Sequence, residues 1–133
     1  MLLRSVPLVA RLLMSTMKAG FQAFLERYCE REPPAMFPIE EGSRFLSFVE
    51  LEAADVPYVR ELIDFERALL AVVATGRPAR SHFPYNPAQL LSALQNRTRV
   101  LVTDRQPYDV EITPTSVTLH RCGQRRRGCV PRP

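Results

Sequence analysis

The sequence predicts an α+β fold. A mostly helical bundle spans residues 1 to 76, a small helix-plus-antiparallel-sheet segment spans 77 to 120, and a disordered basic tail closes the chain at 121 to 133. Three observations carry this reading. Apolar residues recur at three- and four-residue intervals as far as Gly76, the spacing of one helix face. Three short β-branched or alternating runs, TRVLVTD, YDVEI and SVTLH, then follow, separated by RQP and TPT turns. The last 13 residues hold five arginines, two glycines, two prolines and no acid.

The first helix is predicted in VPLVARLLM, with Leu8, Val9, Leu12 and Leu13 on one side and Pro7 in the first turn, where its missing N–H costs nothing. Ser15 or Thr16 is the expected cap of a second helix, whose stripe is Met17, Phe21, Phe24, Leu25 and Tyr28. Cys29 beside that stripe reads as a packed, inert thiol. Pro33 and Pro34 end the helix and stiffen EPPAMFP into an extended connector. IEEGSRFLSFVELE then reads as a short helix with Phe45, Leu46, Phe48 and Val49 as its apolar part, and Gly42 leaves its start open.

Asp55 is the expected cap of a long helix, YVRELIDFERALLAVV, which Gly76 closes. RPARSHFPY reads as a turn-rich linker, and NPAQLLSALQN as a helix with Asn86 as cap and Pro87 at its first position. The three alternating runs then form a β-meander.

Glu66 is an anomaly in the long helix. It projects close to the centre of the face formed by Val59, Leu62, Ile63, Leu69, Leu70 and Val73. A lone carboxylate in a core costs several kcal/mol unless partnered. Two readings stay open: a buried ion pair with Arg27 or Arg44, or a place in a partner interface. Glu61 and Asp64 point sideways and read as a solvated flank beside Arg60 and Arg67.

The formal charge of +4 is a property of the tail. Residues 1 to 120 hold 18 − 5 = 13 bases against 14 acids, so the body is nearly neutral and carries no basic face for nucleic acid. An odd count of three cysteines and no secretory signal point to a cytoplasmic protein with reduced thiols. Pro7 and Arg11 interrupt the apolar opening before a membrane span develops. No phosphate loop, HExxH or G-x-S-x-G is present. His120, Cys122 and Cys129 lack the tight spacing of a structural zinc site. The expectation is therefore no catalytic residue, no metal ligand and no cofactor.

FLERYCEREPP, the FLSF helix and VPYVRELIDFERALL together resemble the HvfC/BufC-type partner proteins, the group with MbnC-like and TglI-like members. The correspondence runs through Tyr28, Pro33, Pro34, Phe45, Leu46, Pro57, Tyr58, Leu62, Phe65, Glu66 and Leu69 and covers roughly residues 6 to 75. What the resemblance implies is a non-catalytic accessory subunit of a TIM-barrel multinuclear iron enzyme. The partner would form a heterodimer with the enzyme and help to present a ribosomally made precursor peptide for cysteine modification, through a sheet like a peptide-recognition element.

On that reading Tyr58, Arg60, Glu66 and Arg67 dock the enzyme, and Tyr108, Val110 and Ile112 receive the peptide backbone on a free sheet edge. The alternative is a DNA-binding regulator in which LLSALQN and the following strands make a winged helix and the Arg tail meets phosphate. The neutral body and the absence of Arg or Lys on the outer side of LLSALQN count against it.

Overall fold

Residues 6 to 122 are described in a computed structural model; the Arg-rich tail expected to be disordered lies outside them beyond Cys122. Pro7 opens α1 (Pro7–Met17), which buries Val9, Leu12 and Leu13 as predicted. The chain reverses at Lys18, whose φ of 51° lies in the left-handed region and whose N–H bonds Met14 O. α2 (Gly20–Arg31) follows. Ser15 and Thr16 lie in the last turn of α1 and cap nothing, since the residue before α2 is Ala19 and supplies no side-chain bond. α2 buries a narrow stripe of Phe21, Phe24 and Tyr28, and Cys29, a hundred degrees round from Tyr28, is exposed instead of packed.

After the extended Pro connector, α3 (Pro38–Glu52) covers the predicted IEEGSRFLSFVELE segment and begins one residue before it. Pro38 supplies its first turn, and Gly42 lies buried inside it. The expected apolar set of Phe45, Leu46, Phe48 and Val49 is buried. Rings of α2 and α3 interlock edge to face: Phe24–Phe48 at 5.0 Å, Tyr28–Phe45 at 5.2 Å and Tyr28–Phe48 at 5.3 Å between centroids. The Tyr28 hydroxyl reaches out of the cluster and donates to Glu41 Oε2 at 3.2 Å.

α4 (Val59–Thr75) is the central element, packed against α1, α3 and the sheet. Its capping residue is Tyr58, held at φ 70° with no side-chain bond to the helix, so the expected Asp55 cap does not form. Gly76 closes the helix at φ 72°, in the left-handed conformation that a terminating glycine adopts without strain.

The sheet has the predicted size and antiparallel sense with a different first strand. β1 (Ala79–Phe83) comes from the segment read as linker; Ala79, Ser81 and Phe83 turn inward while Arg80 and His82 face solvent. α5 (Pro87–Asn96) is capped as expected, with Asn86 Oδ1 accepting from Ala88 N at 2.9 Å. TRVLVTD is not a strand. Its backbone is met by a side chain instead of a ladder, because Gln89 Oε1 on α5 accepts from Thr103 N at 2.9 Å and Asp104 N at 3.1 Å. β2 (Tyr108–Ile112) and β3 (Val117–Arg121) form the predicted hairpin, closed by Thr113 N to Ser116 O at 2.8 Å.

The order is β1-β2-β3, all antiparallel. Arg121, assigned to the tail from sequence, ends β3. One hydrophobic cluster runs from Val6 to Ile112, so the two predicted segments share a core. No helix among the described residues is long and apolar enough to cross a membrane.

Candidate functional site

Glu66 resolves into a helix cap supplied by another helix. It is 2% exposed, which removes it from any docking surface, and its partner is not a cation. Its Oε1 accepts from Val9 N at 2.6 Å and its Oε2 from Leu8 N at 3.3 Å. Val6, the residue before α1, offers no capping side chain, and Pro7 has no N–H, so Leu8 and Val9 carry the first free amides of that helix. A carboxylate from α4 fills this place and also meets the positive end of the α1 dipole. Arg27 lies instead over the Phe24 ring at 5.5 Å, and Arg44 bonds Pro33 O at 2.8 Å and Glu40 Oε1 at 2.7 Å.

Burial pushes the Glu66 carboxyl up from 4.5 to about 7, against the pull of the two amides. Its folded pKa thus exceeds its unfolded one, and between the two values the folded chain holds a proton that the unfolded chain has released. The resulting stability is fully present below pH 4.5 and is lost as pH rises to about 7, a change of roughly 3 kcal/mol from this group. Urea midpoints measured from pH 4.5 to 8 are expected to fall over that window for the wild type and to flatten for Glu66→Gln.

The remaining predicted docking residues share the outer side and the start of α4. Arg60 is exposed. Arg67 is held by Glu50 at 2.9 Å and Ser47 at 3.2 Å, both on α3. Tyr58 is half-buried; its ring meets Tyr85 edge-on at 5.3 Å, and the Tyr85 hydroxyl donates to Glu61 Oε1 at 2.7 Å. A bulky residue fixed in the left-handed region is strained by about 1 kcal/mol or more. The tyrosine pair therefore holds a rigid knuckle at the helix start.

Tyr108, Val110 and Ile112 do not form a free edge, because β2 is the middle strand. Cys122 N donates to Pro107 O and Thr113 N to Ser116 O, which makes Asp109–His120 and Glu111–Thr118 the bonded pairs of the β2–β3 ladder. The backbone of Tyr108, Val110 and Ile112 therefore faces β1 and is taken by Phe83, Ser81 and Ala79. Val110 and Ile112 also place their side chains in the core.

By the same alternation Val117, Leu119 and Arg121 point their amides and carbonyls away from β2, along an edge that no described strand covers. Beside that edge, Leu69, Val72, Val73, Ile112, Pro114 and Val117 line an open apolar depression of about 530 Å³. Asp104 braces the far end of the strand: its Oδ2 accepts from Asn86 Nδ2 at 3.1 Å, Tyr108 Oη at 3.4 Å and Arg121 Nη2 at 3.5 Å. The Gln106 amide, first among its partners, holds the Asp104 carboxyl below its usual range.

The solvent face of the sheet brings together residues that sequence spacing kept apart. Arg80 and His82 of β1 stand opposite Glu111 and Asp109 of β2, which in turn stand opposite Thr118 and His120 of β3. His82 Nδ1 lies 2.9 Å from Asp109 Oδ1, and Cys122 joins them, one ligand atom from each of the three lying within 4.8 Å of the others. Sequence spacing groups Cys122 with His120 and Cys129 and leaves His82 apart. The one available signal was the in-out alternation of ARSHF, hidden by flanking prolines.

Comparison with protein-family models, with curated proteins and with solved structures finds no match to this chain.

Proposed function

We propose that this chain is a non-catalytic accessory subunit that docks on a TIM-barrel multinuclear iron enzyme as a heterodimer and presents a ribosomally made precursor peptide for cysteine modification. The observation that carries the reading is the outer edge of β3. Val117, Leu119 and Arg121 offer outward backbone groups there, beside an apolar depression on the flank of α4. An extended peptide added to such an edge gains main-chain hydrogen bonds along the strand, and every second side chain can enter the adjoining depression. The enzyme half of the proposal comes from the resemblance over residues 6 to 75, with exposed Arg60 and half-buried Tyr58, braced from beneath by Tyr85, as the surface that remains for docking. The DNA-binding alternative has less support, since the exposed positions of α5, Ala88, Ser92, Gln95 and Asn96, carry no cation.

The test is reconstitution with a TIM-barrel multinuclear iron enzyme and a short Cys-containing precursor peptide. Val117→Pro removes one outward N–H and leaves the β2–β3 ladder whole, so peptide affinity is expected to fall about tenfold. Thr118→Ala, whose amide faces β2, is expected to leave it unchanged. Arg60→Glu is expected to weaken enzyme binding by about tenfold. Equal peptide affinity in Val117→Pro and wild type removes the β3 edge from the function. A chain that turns over substrate by itself removes the accessory role.

A further inference from the structure

The solvent face of the sheet carries a second arrangement, separate from the β3 edge. Cys122 lies one residue beyond β3, and its N–H donates to Pro107 O at 3.1 Å, so the β2–β3 pairing reaches it. Strand alternation then sets its side chain on the same face as Thr118 and His120, diagonal to Asp109. His82 stands directly opposite Asp109 on the other neighbouring strand. β1, β2 and the residue that follows β3 thus each deliver one side chain to a single spot: an imidazole, a carboxylate and a thiol, with one ligand atom of each within 4.8 Å of the others. Among the described residues, two of these groups are half-buried and the imidazole is exposed.

We propose that His82, Asp109 and Cys122 form a binding site for a thiophilic divalent cation, with zinc as the best fit. Nitrogen, oxygen and sulfur bonds to zinc of about 2.0 to 2.3 Å set tetrahedral ligand separations of roughly 3.3 to 3.7 Å. His82 Nδ1 and Asp109 Oδ1, now hydrogen-bonded at 2.9 Å, need to part by about 0.5 Å, and Cys122 Sγ, within 4.8 Å of both, needs to close by at most about 1 Å, shifts within the reach of side-chain rotation on a paired backbone. The carboxylate and the thiolate offset both charges of the ion. Three protein ligands leave a fourth position for water or for an incoming thiolate. His120, opposite Asp109 on the same face, is the nearest further imidazole. A bound ion ties all three strands together at one end of the sheet, so occupancy is coupled to folding.

Titration of the full-length, reduced chain with zinc chloride by calorimetry tests this, with cobalt(II) chloride as a spectroscopic probe. One ion per chain is expected, with a Kd of about 1 µM or tighter, and a rise in Tm of about 10 °C at a hundredfold excess over Kd. Cobalt is expected to give the intense visible bands of a four-coordinate ion and a thiolate charge-transfer band. Cys122→Ser and His82→Ala are each expected to weaken zinc by about a hundredfold while keeping the wild-type circular dichroism. Cys29→Ser and Cys129→Ser are expected to bind like the wild type. No binding at about 100 µM zinc overturns the site. So does affinity unchanged in both Cys122→Ser and His82→Ala, or affinity lost in Cys129→Ser.

Discussion

Phe45→Ala is expected to destabilise the fold by about 4 kcal/mol and to lower Tm by roughly 15 °C. Phe45 is fully buried, with its ring edge-on to Phe24 at 6.3 Å and to Tyr28 at 5.2 Å. Truncation removes the transfer free energy of a benzyl group and leaves a cavity between two rigid helices that cannot collapse on it. A domain of this size has about 5 to 15 kcal/mol of total stability, so the variant sits near the limit of folding. Phe37→Ala provides the contrast. That ring is 63% exposed, and its loss is expected to change stability by no more than about 0.5 kcal/mol. Urea unfolding followed by circular dichroism measures both, and a loss below about 1.5 kcal/mol for Phe45→Ala refutes a tightly packed α2–α3 contact.

Glu66→Ala has an effect whose size depends on pH, and that dependence separates a helix cap from an ion pair. At pH 5 the folded carboxyl is largely protonated, and removing it strands the Leu8 and Val9 amides and leaves space between α1 and α4. The expected cost is about 3 kcal/mol. Above pH 7 the wild type itself bears the desolvation of a buried carboxylate, so the gap to Ala narrows to about 1 kcal/mol. A buried ion pair behaves the opposite way, because its carboxylate pKa falls and the loss on truncation grows with pH. A penalty that rises from pH 5 to pH 8 excludes the cap.

The helical half was legible because its signals are local. Pro7, Gly76 and the Asn86–Pro87 pair punctuate the chain, and the buried positions Phe45, Leu46, Phe48 and Val49 follow from a 3.6-residue period. The hairpin of β2 and β3 was legible for the same reason, since both strands alternate and a short TPTS turn joins them. Two short β-type segments competed for the third place. TRVLVTD has the stronger strand propensity and ARSHF lies between prolines, yet ARSHF pairs with β2 while Gln89 claims the backbone of TRVLVTD. Propensity on a half-buried surface is a statement about neighbours, and those neighbours are remote in sequence.

The candidate surfaces follow the same division. From sequence, a terminal sheet with a free edge was foreseeable, but β2 in the middle takes Tyr108, Val110 and Ile112 out of the edge and leaves it to β3. Glu66 was recognisable as a carboxylate that needed a partner. That the partner is the backbone of a helix 57 residues away depends on how α1 crosses α4.

The chain by itself determined its helices, their buried faces and the presence of a small antiparallel sheet, because periodicity and punctuation act within a few residues. Only the tertiary structure decided which strand lies in the centre, what satisfies Glu66 and that His82, Asp109 and Cys122 meet, because strand order and helix crossing join groups that no local spacing relates.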